Sequence, residues 1–240
     1  MSQQFWSDFF EKKAISSDRI SSFSLNGFID NRQAKNIRST IAKLVKCIHP
    51  SYLVDCGCGD GSVALMLSNY CEELLGIEIS PAMSRLASKR GVKVVNDTIH
   101  SALDESSSLN KYIIDKPRRN MLFLFCESLV CMDNPNKVIN KIAETFPDLG
   151  YFLISSPNKN SVFRQIFTAP ATSKLNYVDF DSLERSLRAK SYGITKYIYV
   201  LGIPFLFSIS IEWPIGKFKK LELAINRISN NIILLLSLEY

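Results

Sequence analysis

Leu53-Val54-Asp55-Cys56-Gly57-Cys58-Gly59-Asp60-Gly61 decides the fold of this 240-residue chain. An apolar run ends in an aspartate and then passes through three glycines at alternate positions. Ser62-Val63-Ala64-Leu65-Met66-Leu67 follows and reads as the first turns of a helix. A strand, a tight turn and a helix start in that order let bare backbone approach a ligand, with N–H groups pointing outward. The glycine spacing separates two readings. A G-x-G-x-x-G fingerprint counted from Gly57 needs its last glycine at position 62, where the chain has Ser62. The pattern is instead D-x-G-x-G-x-G.

On either side, strands alternate with helices. Residues 1–50 read as a helical flank, with Ile37, Ile41, Leu44, Val45 and Ile48 at helical spacing before Pro50. Strands are predicted over 52–55, 74–79, 92–95, 121–126 and 151–155, and helices over 62–69, 81–90 and 135–146. That rhythm means βαβ units and an α/β fold: a Rossmann-like three-layer sandwich whose sheet is covered on both faces. After Pro157-Asn158 comes a long irregular connection over 158–179, then a helix over 180–190 and a strand over 194–201. Trp213-Pro214-Ile215-Gly216, an amphipathic helix over 218–228 and a last strand over 232–238 complete the chain. The reading is one domain over 1–240: a flank or lid over 1–50, a ligand-binding core over 51–157 and an elaborated half over 158–240.

Composition is that of an ordinary globular protein, with 46% hydrophobic residues, mean hydropathy +0.04 and net charge +6. Lys and Arg read as scattered, so no nucleic acid partner is expected. The cysteines, at positions 47, 56, 58, 71, 126 and 131, sit largely in apolar runs, as reduced thiols do. With charged residues interleaved among Phe5, Phe9 and Phe10, they point to a reducing cytoplasm. Cys56-x-Cys58 is too tight for a zinc knuckle, and no metal site is expected. Tyr197 to Ile211 carries no charge, but it is short for a span and is interrupted by Gly202 and Pro204. It reads as a buried strand followed by an apolar loop, with peripheral membrane contact left open.

Glu78 is the second strong signal. It closes the second predicted strand seventeen positions after Gly61, near the spacing of about 20 at which an acid reaches ribose hydroxyls in nucleotide-binding sheets. A carboxylate there accepts two hydrogen bonds from a vicinal diol. Asp97 follows the third strand, and Cys126-Glu127-Ser128-Leu129-Val130-Cys131-Met132-Asp133-Asn134-Pro135 follows the fourth.

With these segments in place, positions 51–201 resemble the class I S-adenosylmethionine-dependent methyltransferases that act on small molecules. The resemblance implies a mostly parallel seven-stranded sheet with its last strand antiparallel, and S-adenosylmethionine lying across the carboxyl ends of the first strands. It implies cofactor contacts from Asp55, Gly57, Cys58, Gly59 and Gly61, the ribose on Glu78, and the adenine amino group on Asp97. Ile79, Thr98 and Cys126 are expected to complete the cofactor-binding set. The 126–135 run is similar to the family's fourth motif at Glu127, Leu129, Asn134 and Pro135. It departs at Met121, where an acid usually begins the fourth strand, and at Cys131, where the family run has a histidine.

The remaining base candidates are Glu127 and His100, with His49 read as structural. Cys131, Phe163, Tyr177 and Trp213 are expected to wall the acceptor pocket, and Phe5 and Trp6 to lie on a lid or a structural flank. The reading is a methyltransferase moving a methyl group to oxygen or nitrogen of a small biosynthetic intermediate such as a sugar or quinone-like ring. Three alternatives stay open: a non-catalytic scaffold of the same fold, a nicotinamide oxidoreductase, and a membrane-peripheral enzyme with a lipid-linked acceptor.

Overall fold

In the computed structural model, eight strands form one sheet in the order β3-β2-β1-β4-β5-β8-β6-β7. The residues described are 3–16, 31–104, 107–162, 175–201, 209–213 and 229–238. The strands are β1 (Tyr52–Cys56), β2 (Glu73–Ile77), β3 (Val94–Val95), β4 (Met121–Cys126), β5 (Tyr151–Pro157), β6 (Tyr192–Leu201), β7 (Ile209–Trp213) and β8 (Ser229–Leu238). β1 through β5 pair in parallel. β8 runs antiparallel to both β5 and β6.

The sheet therefore has the expected mostly parallel form with an antiparallel strand inserted late, and one strand more than expected. That extra strand is β7, which pairs antiparallel with β6 from Leu201↔Ile209 to Tyr197↔Trp213. The loop expected through Ile211 is thus partly a strand. Ile209, Ile211 and Trp213 alternate with Ser210 and Glu212, the period of an edge strand, and Glu212 pairs with Lys196 of β6 at 2.7 Å.

Eight α-helices are described: α1 (Gln3–Ser16), α2 (Asn31–Ile48), α3 (Ser62–Leu67), α4 (Pro81–Lys89), α5 (Ile99–Ala102), α6 (Ser108–Ile113), α7 (Pro135–Thr145) and α8 (Phe180–Arg188). Local chemistry fixes their starts. Ser80, Thr98, Asn134 and Asp179 each cap a helix by accepting a backbone N–H, and Pro81 and Pro135 hold the first helical position.

Successive residues of each strand feed opposite layers. On one face α2 lays Ile37, Ile41 and Leu44 against Leu53, Leu122, Leu124, Leu153 and Ile233. On the other, Val138, Ile139 and Ile142 of α7 and Leu183 and Leu187 of α8 meet Val54, Phe123, Phe125, Phe152 and Leu234. Burial on both sides explains why the strands read as unbroken apolar runs. Each such side chain contributes about 1.5–3 kcal/mol. The helix expected over 218–228 lies outside the described residues. Among those described, no helix is long and apolar enough to cross a membrane.

Parallel pairing brings the segments after β1, β2, β3, β4 and β5 to one edge of the sheet. Glycine loop, Glu78, Asp97 and the 126–135 run all lie there, where ligand crevices form in open α/β sheets.

Candidate active site

The loop between β1 and α3 turns through Gly57, Gly59 and Gly61, all with left-handed φ of 81°, 57° and 76°. Hydrogen bonds from the Gly57 and Cys58 N–H groups to the Ile77 carbonyl, 2.8 and 3.1 Å, tie its base to β2. Two of the glycines differ in purpose. A Cβ on Gly61 would meet Ala87 Cβ at 2.9 Å and its Cα at 3.0 Å, so the loop could not seat against α4. A Cβ on Gly59 would meet nothing within 4 Å, which leaves that position as the open lip of the loop. Asp60 braces the turn from beneath: it accepts from Ser62 N at 3.1 Å and pairs with Arg90 at 2.6 Å. Sequence reading missed this clamp.

Glu78 follows β2, is 5% exposed and turns into the loop. Its Oε2 accepts from Gly59 N at 2.9 Å and its Oε1 from Ser80 N at 2.8 Å. Burial raises its carboxyl above the ordinary range, against the pull of those amides. The two strongest sequence signals therefore meet in one hydrogen bond.

Asp55 lies below them, 1% exposed, and neither carboxylate oxygen has a hydrogen-bond partner. Burial pushes its carboxyl up to about 7, and the charge on Glu78 pushes the same way. A buried unpaired carboxylate is unfavourable until a cation or donor reaches it.

Asn96 joins the next strand to the site by donating to the Glu78 and Ile79 carbonyls at 2.7 and 3.2 Å. Its role is not legible in the sequence, because a single side-chain amide leaves no periodic signal. Asp97 accepts from Thr98 N at 2.7 Å, and Thr98 caps α5 by accepting from Ser101 N at 3.0 Å.

The run after β4 closes the far side. Glu127 holds a left-handed φ of 60° and is 5% exposed. Ser155 Oγ donates to its Oε1, and Asn231 Nδ2 donates to its Oε2 at 2.7 Å. Asn231 Oδ1 in turn accepts from Gln33 Nε2 of α2 at 2.5 Å. Cys131 is half-buried, and its thiol is raised by burial and then by the charges of Glu78 and Glu127. It therefore sits in the field of both. Asn176 donates to the Val130 and Met132 carbonyls at 2.8 Å each, which brings the stretch carrying Tyr177 against the Cys131 turn.

Several expected site residues are placed elsewhere. Cys58 turns inward with Ala64, Ala87 and Val92, and a Cβ on Gly76 would lie 2.6 Å from its Sγ. Its side chain fills core beneath the loop. Cys126 likewise points into the apolar layer under α2. His100, half-buried on α5, has its pKa lowered by burial first and then by Lys141, while Asp133 opposes. Lys137 of α7 adds to the lowering and Asp104 to the opposition, and Lys141 Nζ donates to the His100 carbonyl at 3.5 Å.

Trp213 is a correction. It ends edge strand β7, five strands from β1, which at about 4.8 Å per strand is ~24 Å from the glycine loop. Phe163 and the Trp213 side chain lie outside the described residues. Met121 starts β4 opposite Tyr52, at the amino edge of the sheet. Its departure from the family pattern thus falls at the end remote from the crevice.

α1 packs beside this edge. Glu11 Oε2 accepts from Ser80 Oγ at 2.9 Å and from Ala82 N at 2.8 Å, capping α4 from outside, and Arg85 lies 3.4 Å from Oε1. Trp6, 5% exposed, packs edge-on against Phe5 and Phe9.

A sheet of this order with a glycine loop after β1, a buried acid after β2 and a crevice at the carboxyl ends is that of a class I methyltransferase. The methyltransferase-domain family pattern matches residues 28–194, and the chain belongs to that family. No curated protein sequence matches it significantly.

Solved structures share the fold at low identity. One is a methyltransferase from Thermotoga maritima described as a possible histamine N-methyltransferase, 16% identical, covering 98% of this chain and 100% of that one, TM-score 0.61. Another is the N-methyltransferase NodS from Bradyrhizobium japonicum with S-adenosyl-L-homocysteine, 12% identical, 98% and 99% covered, TM-score 0.59. A third is magnesium protoporphyrin IX methyltransferase from Synechocystis with bound S-adenosylmethionine, 12% identical, 98% and 96% covered, TM-score 0.55. S-adenosylmethionine is the cofactor that goes with this fold. The donor set fits it: Asp55 offers an unpaired carboxylate to a cation, and the open lip at Gly59 gives backbone access.

Proposed function

We propose that this protein transfers a methyl group from S-adenosylmethionine to an oxygen or nitrogen of a small biosynthetic intermediate. The observation that carries the reading is the Gly59–Glu78 hydrogen bond over the orphaned Asp55 carboxylate. When bound, the cofactor supplies an electrophilic methyl on a cationic sulfur. The chain's own residues do the rest by positioning, which accounts for much of the catalysis in an in-line displacement.

Glu78, oriented by two backbone amides, presents a carboxylate to a vicinal diol. Asp97 holds an acceptor oxygen for an exocyclic amine, and Asp55 supplies the counter-charge for a cationic ligand. Glu127 is the base candidate the geometry favours, since its carboxylate is held by Ser155 and Asn231 at the end of β4. His100 is the weaker one, because it stands half-buried on the short helix α5 with Lys141 of α7 on its backbone carbonyl. Cys131 and Tyr177, brought together through Asn176, form the acceptor wall.

Isothermal titration tests the reading. S-adenosylmethionine and S-adenosylhomocysteine are expected to bind the wild type and to lose binding in Gly59→Arg and Glu78→Ala. A folded wild type that binds neither ligand defeats the proposal.

A further inference from the structure

α2 has an outer face with an unusual charge pattern. Its 18 residues contain no acid and no aromatic residue. Arg32, Lys35, Ser39, Lys43 and Lys46 recur at helical spacing and are all exposed, whereas Ala34, Ile37, Ile41, Leu44 and Val45 are buried against the sheet. Positions 32 to 46 span about 21 Å along the axis. Among the described residues, no carboxylate pairs with Lys35, Lys43 or Lys46. Arg32 stands in the first turn, where a cation opposes the helix dipole, and Lys43 repels Lys46 three positions on. Like charge is thus gathered along one exposed line, in which only Lys46, in the last turn, is favourably placed against the helix dipole. Such departures from local consistency mark functional surfaces. Beside it on the same side of the sheet, α3 turns Leu65 outward, 49% exposed.

From this pattern we propose that the outer face of α2 is a docking surface for an anionic lipid bilayer. The apolar face of α2 is committed to the core, so the contact is electrostatic: a single file of cations laid on a plane of negative headgroups, with Leu65 alongside. A nucleic acid fits less well, because α2 has no aromatic side chain on which bases stack. Gln33, next to Arg32, reaches Asn231 beside Glu127. The row therefore begins at the sheet edge where the crevice opens. This surface does not depend on the proposed reaction.

The test is co-sedimentation of the full chain with vesicles of phosphatidylcholine alone or with about 30% phosphatidylserine, in about 50 mM salt. Binding is expected to the anionic vesicles only and to fall as salt rises. Each lysine is expected to account for about fivefold, so Lys35→Glu, Lys43→Glu and Lys46→Glu together weaken binding at least ~100-fold. These sites are exposed, and circular dichroism checks that the triple variant is folded. Alkylation of exposed Cys47, next to Lys46, is expected to slow when anionic vesicles are present.

A second triple variant, Lys137→Glu, Lys141→Glu and Lys190→Glu, makes the same change in net charge in the groove between α7 and α8. It is expected to keep most of the binding. The proposal is overturned by absence of binding to anionic vesicles, by equal losses in the two triple variants, or by unchanged Cys47 alkylation. It is also overturned if a short RNA duplex binds more tightly than the vesicles at the same salt.

Discussion

Asp55→Asn tests the electrostatics of the crevice most directly. The Asp55 carboxyl is raised from 3.8 to about 7 because it is buried without a partner and faces Glu78. A carboxyl whose folded pKa is raised binds more protons when folded, so its contribution is greatest at low pH. It is lost progressively as pH climbs from about 3.8 to about 7, and stability is flat above that window. The shift corresponds to ~4 kcal/mol across the window.

Asn keeps the shape, removes the titration and leaves amide hydrogens unpaired at a cost of about 1–3 kcal/mol. The variant is therefore expected to be ~1–3 kcal/mol more stable than the wild type at pH 8. That advantage is expected to vanish near pH 4. Urea unfolding at intervals between pH 4 and 8 measures both curves. Ligand binding gives the converse: a cationic cofactor prefers the ionised carboxylate, so wild-type affinity is expected to rise ~15-fold from about pH 5.5 to 7 and to level off above about pH 8 at ~30-fold. The dependence should flatten in Asp55→Asn. Parallel unfolding curves for the two proteins, or wild-type affinity that is the same at pH 5.5 and 8, would refute the argument.

Two further substitutions probe the supports of the site. Gly61→Ala adds a methyl 2.9 Å from Ala87 at a φ of 76°, and thermal unfolding should show a loss of ~2–4 kcal/mol. Gly59→Ala, with open space and a φ of 57°, should lose only ~1–2 kcal/mol, and equal losses would contradict the packing account. Asn231→Ala removes a donor to the buried Glu127 and an acceptor for Gln33; denaturant midpoints should report a loss of about 2–3 kcal/mol, and a change below ~0.5 would show the relay to be incidental.

The central half of the sheet was readable because burial on both faces writes itself as continuous apolar runs such as Met121–Cys126. The glycine loop and Glu78 were readable because their spacing is set by one strand-turn-helix unit and the strand after it. What escaped depends on the order of strands in space. Trp213 looked like a pocket residue until β7 proved to be the outermost strand, and Ile209–Trp213 was hidden because its alternation follows directly on the apolar 197–208 stretch. Asn96, Asn176 and Asn231 act over long chain separations through single amides, which leave no period in sequence. The basic row on α2 looked scattered because its members fall three and four apart among apolar residues.

Glu127 occupies a backbone conformation that suits glycine or asparagine better, at a strain of about 1–2 kcal/mol. A library randomised at position 127 and sorted for heat resistance alone should drift toward those two residues. The same library sorted for methyl transfer should return glutamate, and the divergence between the two selections would measure what the carboxylate is kept for.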